Sequence, residues 1–304
     1  MSDLVSVIIT TYKRTPEIVI RAIKSVCSQT YSDIEIIVVD DSPSTYEHRL
    51  VLQEQIKKFG DKVKYIAHQR NLGACVARNT GLKSANGSYV AFLDDDDEWM
   101  PEKIAKQKLR FNDDKIALVY CGRLIIDDST GEERCEKTVI HSGYVYDKLI
   151  YRNFIGPTSS PLIKKDYLLK IGGFDSLMNS AQDYDVWLRL ARIYKIVGIN
   201  DILVKYHIHK GERISSNHIA RITGQERLIY KNMGYLLQNT EAWQWRLIRL
   251  ALQYSQNTQL LKAIKVLIKG YIKNISTVFP NLRYILYVFY YYLRSKYLIN
   301  KYGK

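Results

Sequence analysis

Apolar and polar positions fall in short alternating blocks over the first two hundred residues. Val5 to Thr10 (V-S-V-I-I-T) and Ile34 to Val39 (I-E-I-I-V-V) are brief apolar runs rich in β-branched residues, which predict buried strands. Between them, Pro16 suits the first turn of a helix running to about Gln29. A helix from about Tyr46 to Phe59 and a strand over Val63 to Ala67 follow. Gln69 to Leu82 opens as a loop and becomes a helix, Gly87 ends it, and Val90 to Leu93 predicts another strand. After Pro101 a helix carries Lys103, Lys106, Lys108 and Arg110. Ile116 to Tyr120 reads as a strand, followed by a β-like segment turning at Asp127 to Gly131. Phe154 to Ser160 is loop, Pro161 to Lys164 a strand end, and Lys165 to Ile171 a short helix closed by Gly172-Gly173. Tyr184, Trp187, Leu188 and Ala191 recur at helical spacing, so Ser180 to Ala191 is a helix, and Ile202 to Ile208 a last strand. Strands alternating with helices over short links predict an α/β protein with a doubly wound sheet.

The pattern changes beyond about residue 220. Gln259 to Asn274 places Leu260, Leu261, Ile264, Leu267, Ile268, Tyr271 and Ile272 on one helical stripe, and Lys262, Lys265, Lys269 and Lys273 on another. Tyr284 to Leu293 (Y-I-L-Y-V-F-Y-Y-Y-L) is apolar and aromatic on all sides, bracketed by Arg283 and Arg294. It is too short to span a bilayer, which takes about 20 apolar residues. Charge follows the same division. The chain carries +14 overall, and residues 221–304 hold 14 Lys/Arg against two Asp/Glu, a net +12. The expected domains are therefore 1–220, a nearly neutral body, and 221–304, a basic helical extension. Such a tail suits an anionic surface. It either attaches the protein to the inner face of a cell membrane through 259–304, or packs its stripe on the body with its lysines solvated. No nucleic-acid motif accompanies the charge, so nucleic acid is not an expected partner.

With 304 residues the chain can bury a full core. Cys27, Cys75, Cys121 and Cys135 form no CxxC pair, which argues against zinc and against a disulfide framework and suits a reducing cytoplasm. Asp3 stands where a signal peptide would be basic, and the apolar run after it is short.

The most distinctive chemistry is at the end of the Val90–Leu93 strand, where four aspartates, Asp94 to Asp97, follow in succession. Adjacent carboxylates repel. They either serve a hard divalent cation, Mg²⁺ or Mn²⁺, or form a solvated acidic turn ahead of the helix near Pro101. Ligand sites in open α/β sheets lie at the carboxyl ends of strands, which favours the cation. The first strand leads into T-T-Y-K-R with no G-x-G-x-x-G, and no G-x-x-x-x-G-K-[ST] is present. A nicotinamide enzyme and a P-loop enzyme both lose their main support. Trp99 and Trp187 read as core or pocket wall.

The ordered set V-S-V-I-I-T-T-Y-K-R, I-I-V-V-D-D-S, N-L-G-A-C-V-A-R-N-T-G, F-L-D-D-D-D-E-W-M-P, G-G-F-D and Q-D-Y-D-V-W-L-R-L spans Val5 to about Ser216. It resembles the family-2 inverting glycosyltransferases of GT-A fold, of bacterial polysaccharide type. The resemblance implies a Rossmann-like mixed sheet and a nucleotide-diphosphate sugar as donor. It implies that Thr11 and Tyr12 line the base, and that Asp40 accepts from a uracil or thymine N–H. Asn71 and Arg78 close the nucleotide pocket, Asp94 and Asp95 hold the ribose, and Asp96 holds Mn²⁺ or Mg²⁺ between the phosphates. Asp183 is then the general base on the acceptor hydroxyl, and His209, Arg213 and Ser215 belong to a loop covering the diphosphate. Each position also has a plainer reading: Asp40 as a turn residue, Arg78 as a helix-surface charge, Asp183 as an N-cap with Asp185 on a solvated face, and 209–216 as a polar loop. One departure stands out. The family's Glu-Asp is Gln182-Asp183 here, which changes the acceptor side of the site. The acceptor expected is a glycan or lipid-linked hydroxyl in surface polysaccharide synthesis. Two rivals remain: a catalytically silent nucleotide-sugar-binding or scaffold protein, and a sugar-phosphate nucleotidyltransferase, whose Gly-rich phosphate loop T-T-Y-K-R does not supply.

Overall fold

In the computed structural model, which describes residues 3–136, 140–209, 217–271 and 282–302, the first apolar run is strand β1 (Val5–Thr11) at the heart of the sheet. Helix α1 (Pro16–Cys27) follows with Pro16 at its start, then β2 (Ile34–Asp40), α2 (Arg49–Lys57) and β3 (Val63–Ala67). Next come α3 (Ala74–Ser84), β4 (Tyr89–Asp94), the two-residue β5 (Glu98–Trp99) and α4 (Lys103–Lys108). β6 (Ile116–Asp127) and β7 (Glu133–Glu136) form a hairpin, with Gly131 N donating to Asp127 O at its turn. α5 (Tyr146–Leu149), β8 (Leu162–Lys164), α6 (Lys165–Lys170), α7 (Gln182–Ala191) and β9 (Lys195–Ile208) complete this part.

Among the described residues the strands form one mixed sheet in the order β3-β2-β1-β4-β8-β6-β9-β5, with β7 beside β6. β3, β2, β1 and β4 run parallel, and β8 enters antiparallel between β4 and β6. β1 and β4 are interior strands buried on both faces, with α1 packed against Val5, Val7 and Ile9 and α3 against Ile8, which is why they read as continuous apolar runs. The parallel register brings Thr11 level with Asp40 and Thr10 level with Asp94. The carboxyl ends of three strands therefore share one edge.

Two helices differ from their expected character. Lys103 is wholly buried, its Nζ 3.9 Å from the centroid of the Trp99 ring and 2.9 Å from Gln107 Oε1. It belongs to the core side of α4 and not to a basic face. Asp185 is buried as well, paired to Arg189 at 2.8 Å, and Arg189 donates to the carbonyls of Ile171 and Gly173. This pair ties α7 to the Gly172-Gly173 turn in place of facing solvent. Trp99 and Trp187 are core residues, with 3% and 0% of their surface exposed.

The chain divides into two compact units, Met1–Ser176 with Asp183–Gly211, and Leu177–Gln182 with Glu212–Lys304. The second unit is helical: α8 (His218–Lys231), α9 (Met233–Gln238), α10 (Thr240–Gln256), α11 (Leu260–Tyr271) and α12 (Leu282–Tyr302). Asn217 and Asn239 cap α8 and α10 through their side chains. The expected stripe on α11 splits. Leu267 and Tyr271 are buried with Ala263, while Leu261 and Ile268 stay exposed. Ile272 and Lys273 lie outside the described residues. No helix among the described residues is long and apolar enough to cross a membrane.

Candidate donor and catalytic site

The four aspartates do not act as one acidic patch. A tight turn, with Asp97 N donating to Asp94 O at 3.0 Å, splits the side chains among three partners, Arg78, Arg14 and Ser159. Asp94 Oδ1 accepts from Arg78 Nη2 at 2.9 Å. Asp95 Oδ1 accepts from Arg14 Nε at 3.1 Å, and Asp96 Oδ2 from Arg14 Nη2 at 2.7 Å. Asp97 is buried completely, accepting from Ser159 Oγ at 2.6 Å and His207 N at 3.2 Å. Burial holds the Asp97 carboxyl well above the usual range, and its aspartate neighbours add to this. Burial likewise pushes Asp95 up to about 7, against the opposing pull of Arg14. Distributing the run over two arginines, a serine and a backbone N–H answers the repulsion that four adjacent carboxylates create.

Arg14 went unremarked in the sequence as more than a loop residue. The signal for it was indirect: crowded carboxylates require a cation, and T-T-Y-K-R leaves β1 at the same sheet edge. Arg21 adds a bond from Nη2 to Asp96 O at 2.8 Å. His209 reaches the same spot, its Nε2 2.8 Å from Asp96 Oδ2 and 3.2 Å from Arg14 Nη2. Arg213 and Ser215 lie outside the described residues.

At the ends of β1 and β2, where the base is expected, Thr11 is buried and Tyr12 is exposed beside Lys13. Asp40 is buried with both oxygens engaged: Oδ2 accepts from Tyr65 OH at 2.6 Å, and Oδ1 from Ser42 N at 2.9 Å. Asp41 has a structural task. It accepts from Leu72 N and Gly73 N, each at 2.8 Å, and so pins the turn that starts α3. Asn71 is exposed in that turn, its Oδ1 accepting from Gly73 N at 2.9 Å. Gly73 has φ +91°, a conformation that favours glycine.

Asp183 is half-buried in the first turn of α7, its Oδ1 accepting from Tyr184 N at 2.7 Å. Burial raises its carboxyl to about 6; the Tyr184 N–H and Arg78 oppose the rise, and Asp94 adds to it. Arg78 thus couples Asp94 and Asp183 electrostatically, and it stacks at 5.4 Å on Phe174. Asn79 holds that Phe in place through two hydrogen bonds with its backbone, at 2.7 and 2.9 Å. The G-G-F-D segment is therefore the brace that sets Arg78.

A mixed sheet in this order, with its acidic turn at the carboxyl end of β4, is the GT-A arrangement. The crystal structure of S. aureus TarS 1-349 in complex with UDP-GlcNAc superposes with a TM-score of 0.70, at 16% identity, over 98% of this chain and 92% of that one. Residues 6–170 match Glycosyl transferase family 2. An uncharacterized glycosyltransferase of Rickettsia prowazekii, RP339, is 34% identical over 76% of each chain. The putative colanic acid biosynthesis glycosyl transferase WcaA of Escherichia coli is 32% identical over 73% of this chain and 79% of its own. The chain belongs to glycosyl transferase family 2.

Proposed function

We propose that the protein is a metal-dependent inverting glycosyltransferase. It moves a sugar from a nucleotide-diphosphate donor, most simply a UDP-sugar, to a hydroxyl of a glycan or lipid-linked acceptor. The observation that carries this is the meeting of Arg14 and His209 on Asp96, with Asp183 held near Arg78 and Asp94. Among the described residues no three His, Cys, Asp or Glu side chains converge to hold an ion. Asp96 and His209 thus offer two donors, which fits a Mn²⁺ or Mg²⁺ ion completed by substrate phosphates and water. When bound, the cation would offset the charge developing on the leaving diphosphate. UDP-GlcNAc in TarS, and UDP with Mn²⁺ in GalNAc-T7 (TM-score 0.62, 16% identity, 75% of this chain and 48% of that one), are consistent with this donor chemistry.

The remaining roles fall to this chain. Thr11, Tyr12 and Asp40 face the base, Asn71 and Arg78 border the nucleotide, and Asp94 and Asp95 take the ribose. His209, Arg213 and Ser215 close over the diphosphate. Asp183 removes the acceptor proton as the hydroxyl attacks the anomeric carbon from the side opposite the leaving group. A single displacement inverts that centre and needs no enzyme nucleophile. The helical unit attaches to an anionic membrane surface, where lipid-linked acceptors for polysaccharide assembly are found. Its support is an exposed row on α12, Leu286, Phe289, Tyr290, Leu293 and Tyr297, beside exposed Arg294 and Lys296.

Thermal stabilisation by UDP, dTDP, GDP and CDP, each with Mn²⁺ or EDTA, tests the donor site in the wild type and Asp96→Ala. A Mn²⁺-dependent shift with UDP or dTDP, lost in the variant, is expected. No shift with any nucleotide would sink the transferase mechanism.

A further inference from the structure

A second pocket, of about 280 Å³, opens beside the catalytic helix and has no part in the roles above. Arg123, His141, Lys148, Arg152, Phe154 and Ser160 line it. Its charge is one-sided. Arg123 is neutralised by Glu136, at 2.7 Å from Nη2. Lys148 and Arg152 are exposed and have no ionic partner among the described residues. Ser160 is 1% exposed, and its buried Oγ has no hydrogen-bond partner in the structure. A buried hydroxyl without a partner is destabilising, so a ligand that supplied one would recover that cost. The Phe154 ring, with His141 edge-on at 4.6 Å, offers an apolar wall of the kind a sugar ring covers.

The pocket's position relates it to the acceptor. Its wall is the 153–160 loop, which hangs from two indoles. Trp99 Nε1 donates to Ser159 O at 2.9 Å, and Trp187 Nε1 to Gly156 O at 3.2 Å. Trp187 sits one turn after Asp183 on α7. The same loop touches the acidic turn, since Ser159 Oγ accepts from Asp94 N and donates to Asp97. The loop therefore stands between the donor's diphosphate edge and the pocket, and the pocket adjoins the helix bearing the base.

We propose that this pocket binds an anionic group, a carboxylate or a phosphate, carried by the acceptor glycan next to its reacting hydroxyl. The acceptor is then an acidic polysaccharide, built beforehand by a reaction that installs a uronic acid or a phosphodiester. Two unneutralised cations select the charge, Ser160 donates to one oxygen, and Phe154 covers the ring. This rests on the glycosyltransferase reading, because only an acceptor has reason to lie against the Asp183 helix.

The test is calorimetric binding of D-glucuronate and of glycerol 3-phosphate to the full chain with Mn²⁺, with and without UDP. Methyl glucoside and glycerol are the neutral controls. At least one anion should bind at least tenfold more tightly than its neutral control. Lys148→Glu with Arg152→Glu should weaken that binding at least tenfold while leaving the UDP thermal shift unchanged, and Ser160→Ala should weaken it less. The two anions tell carboxylate from phosphate. Anion binding that UDP abolishes would place the anion at the donor site and overturn the proposal. So would equal binding of anionic and neutral probes, or binding untouched in the double variant. Loss of the UDP shift in the wild type would fail the donor reading, a result separate from the anion measurement.

Discussion

Arg14 Nη2 stands 2.7 Å from Asp96 Oδ2, so in this structure a guanidinium occupies the carboxylate proposed to hold a divalent cation. The two cations would compete for one oxygen. Arg14 keeps only about a quarter of its side chain exposed. Arg14→Ala should therefore cost about 1–3 kcal/mol of stability in EDTA. It should also gain more from Mn²⁺ than the wild type does. Melts with and without Mn²⁺ decide this; equal gains in both proteins would mean that Arg14 and the metal do not share Asp96.

The half-buried Asp183 carboxyl, raised to about 6, must be ionised to accept a proton. Transfer measured as kcat/KM should rise about tenfold per pH unit below 6 and level off above 7. Asp183→Asn should lower kcat by about 10²–10⁴-fold with the UDP thermal shift kept. A flat profile from pH 5 to 8 would remove Asp183 from the role of base.

Burial lowers the Lys103 ammonium to about 8 from 10.5. The folded state then holds this proton less tightly than the unfolded chain does. Stability contributed at this site is therefore least at pH 7 and rises between about 8 and 10.5. Lys103→Met keeps the packing on Trp99 and removes the buried charge. It should raise stability by about 1–3 kcal/mol at pH 7, with the gain shrinking by pH 10. Urea melts at the two pH values measure it, and a gain independent of pH would point to packing alone.

The exposed row on α12 predicts adhesion to anionic vesicles that weakens with salt. Leu286→Asp with Leu293→Asp should reduce flotation with phosphatidylglycerol vesicles at least tenfold and leave the UDP shift intact. Unchanged flotation of the variant would detach the membrane proposal from this helix.

Much of the fold was legible because burial on both faces writes strands as apolar runs. β1, β2, β3 and β4 sit within a residue or so of where periodicity placed them. The 12-residue β6 was read as a strand and a separate β-like segment, and of the 14-residue β9 only Ile202 to Ile208 was seen, because its first half carries Gly198, Asn200 and Asp201 and is held by pairing with β6. α2 begins at Arg49, later than its apolar spacing suggested, because His48 N-terminal to it forms the turn.

The sequence by itself determined the alternation of strands and helices, the acidic run at the end of β4 and the basic tail. Each is a local pattern of hydrophobicity or charge that survives without knowing what it touches. It could not tell which aspartate does what. Only the tertiary structure decided that Arg14 meets Asp96, that Asp97 points into the core, that Lys103 lies on Trp99 and that the Ser160 hydroxyl is left without a partner. Most of these depend on contacts across tens of residues, set by the sheet order, and a side chain's charge, burial and available partners are fixed by those neighbours and not by its place in the chain.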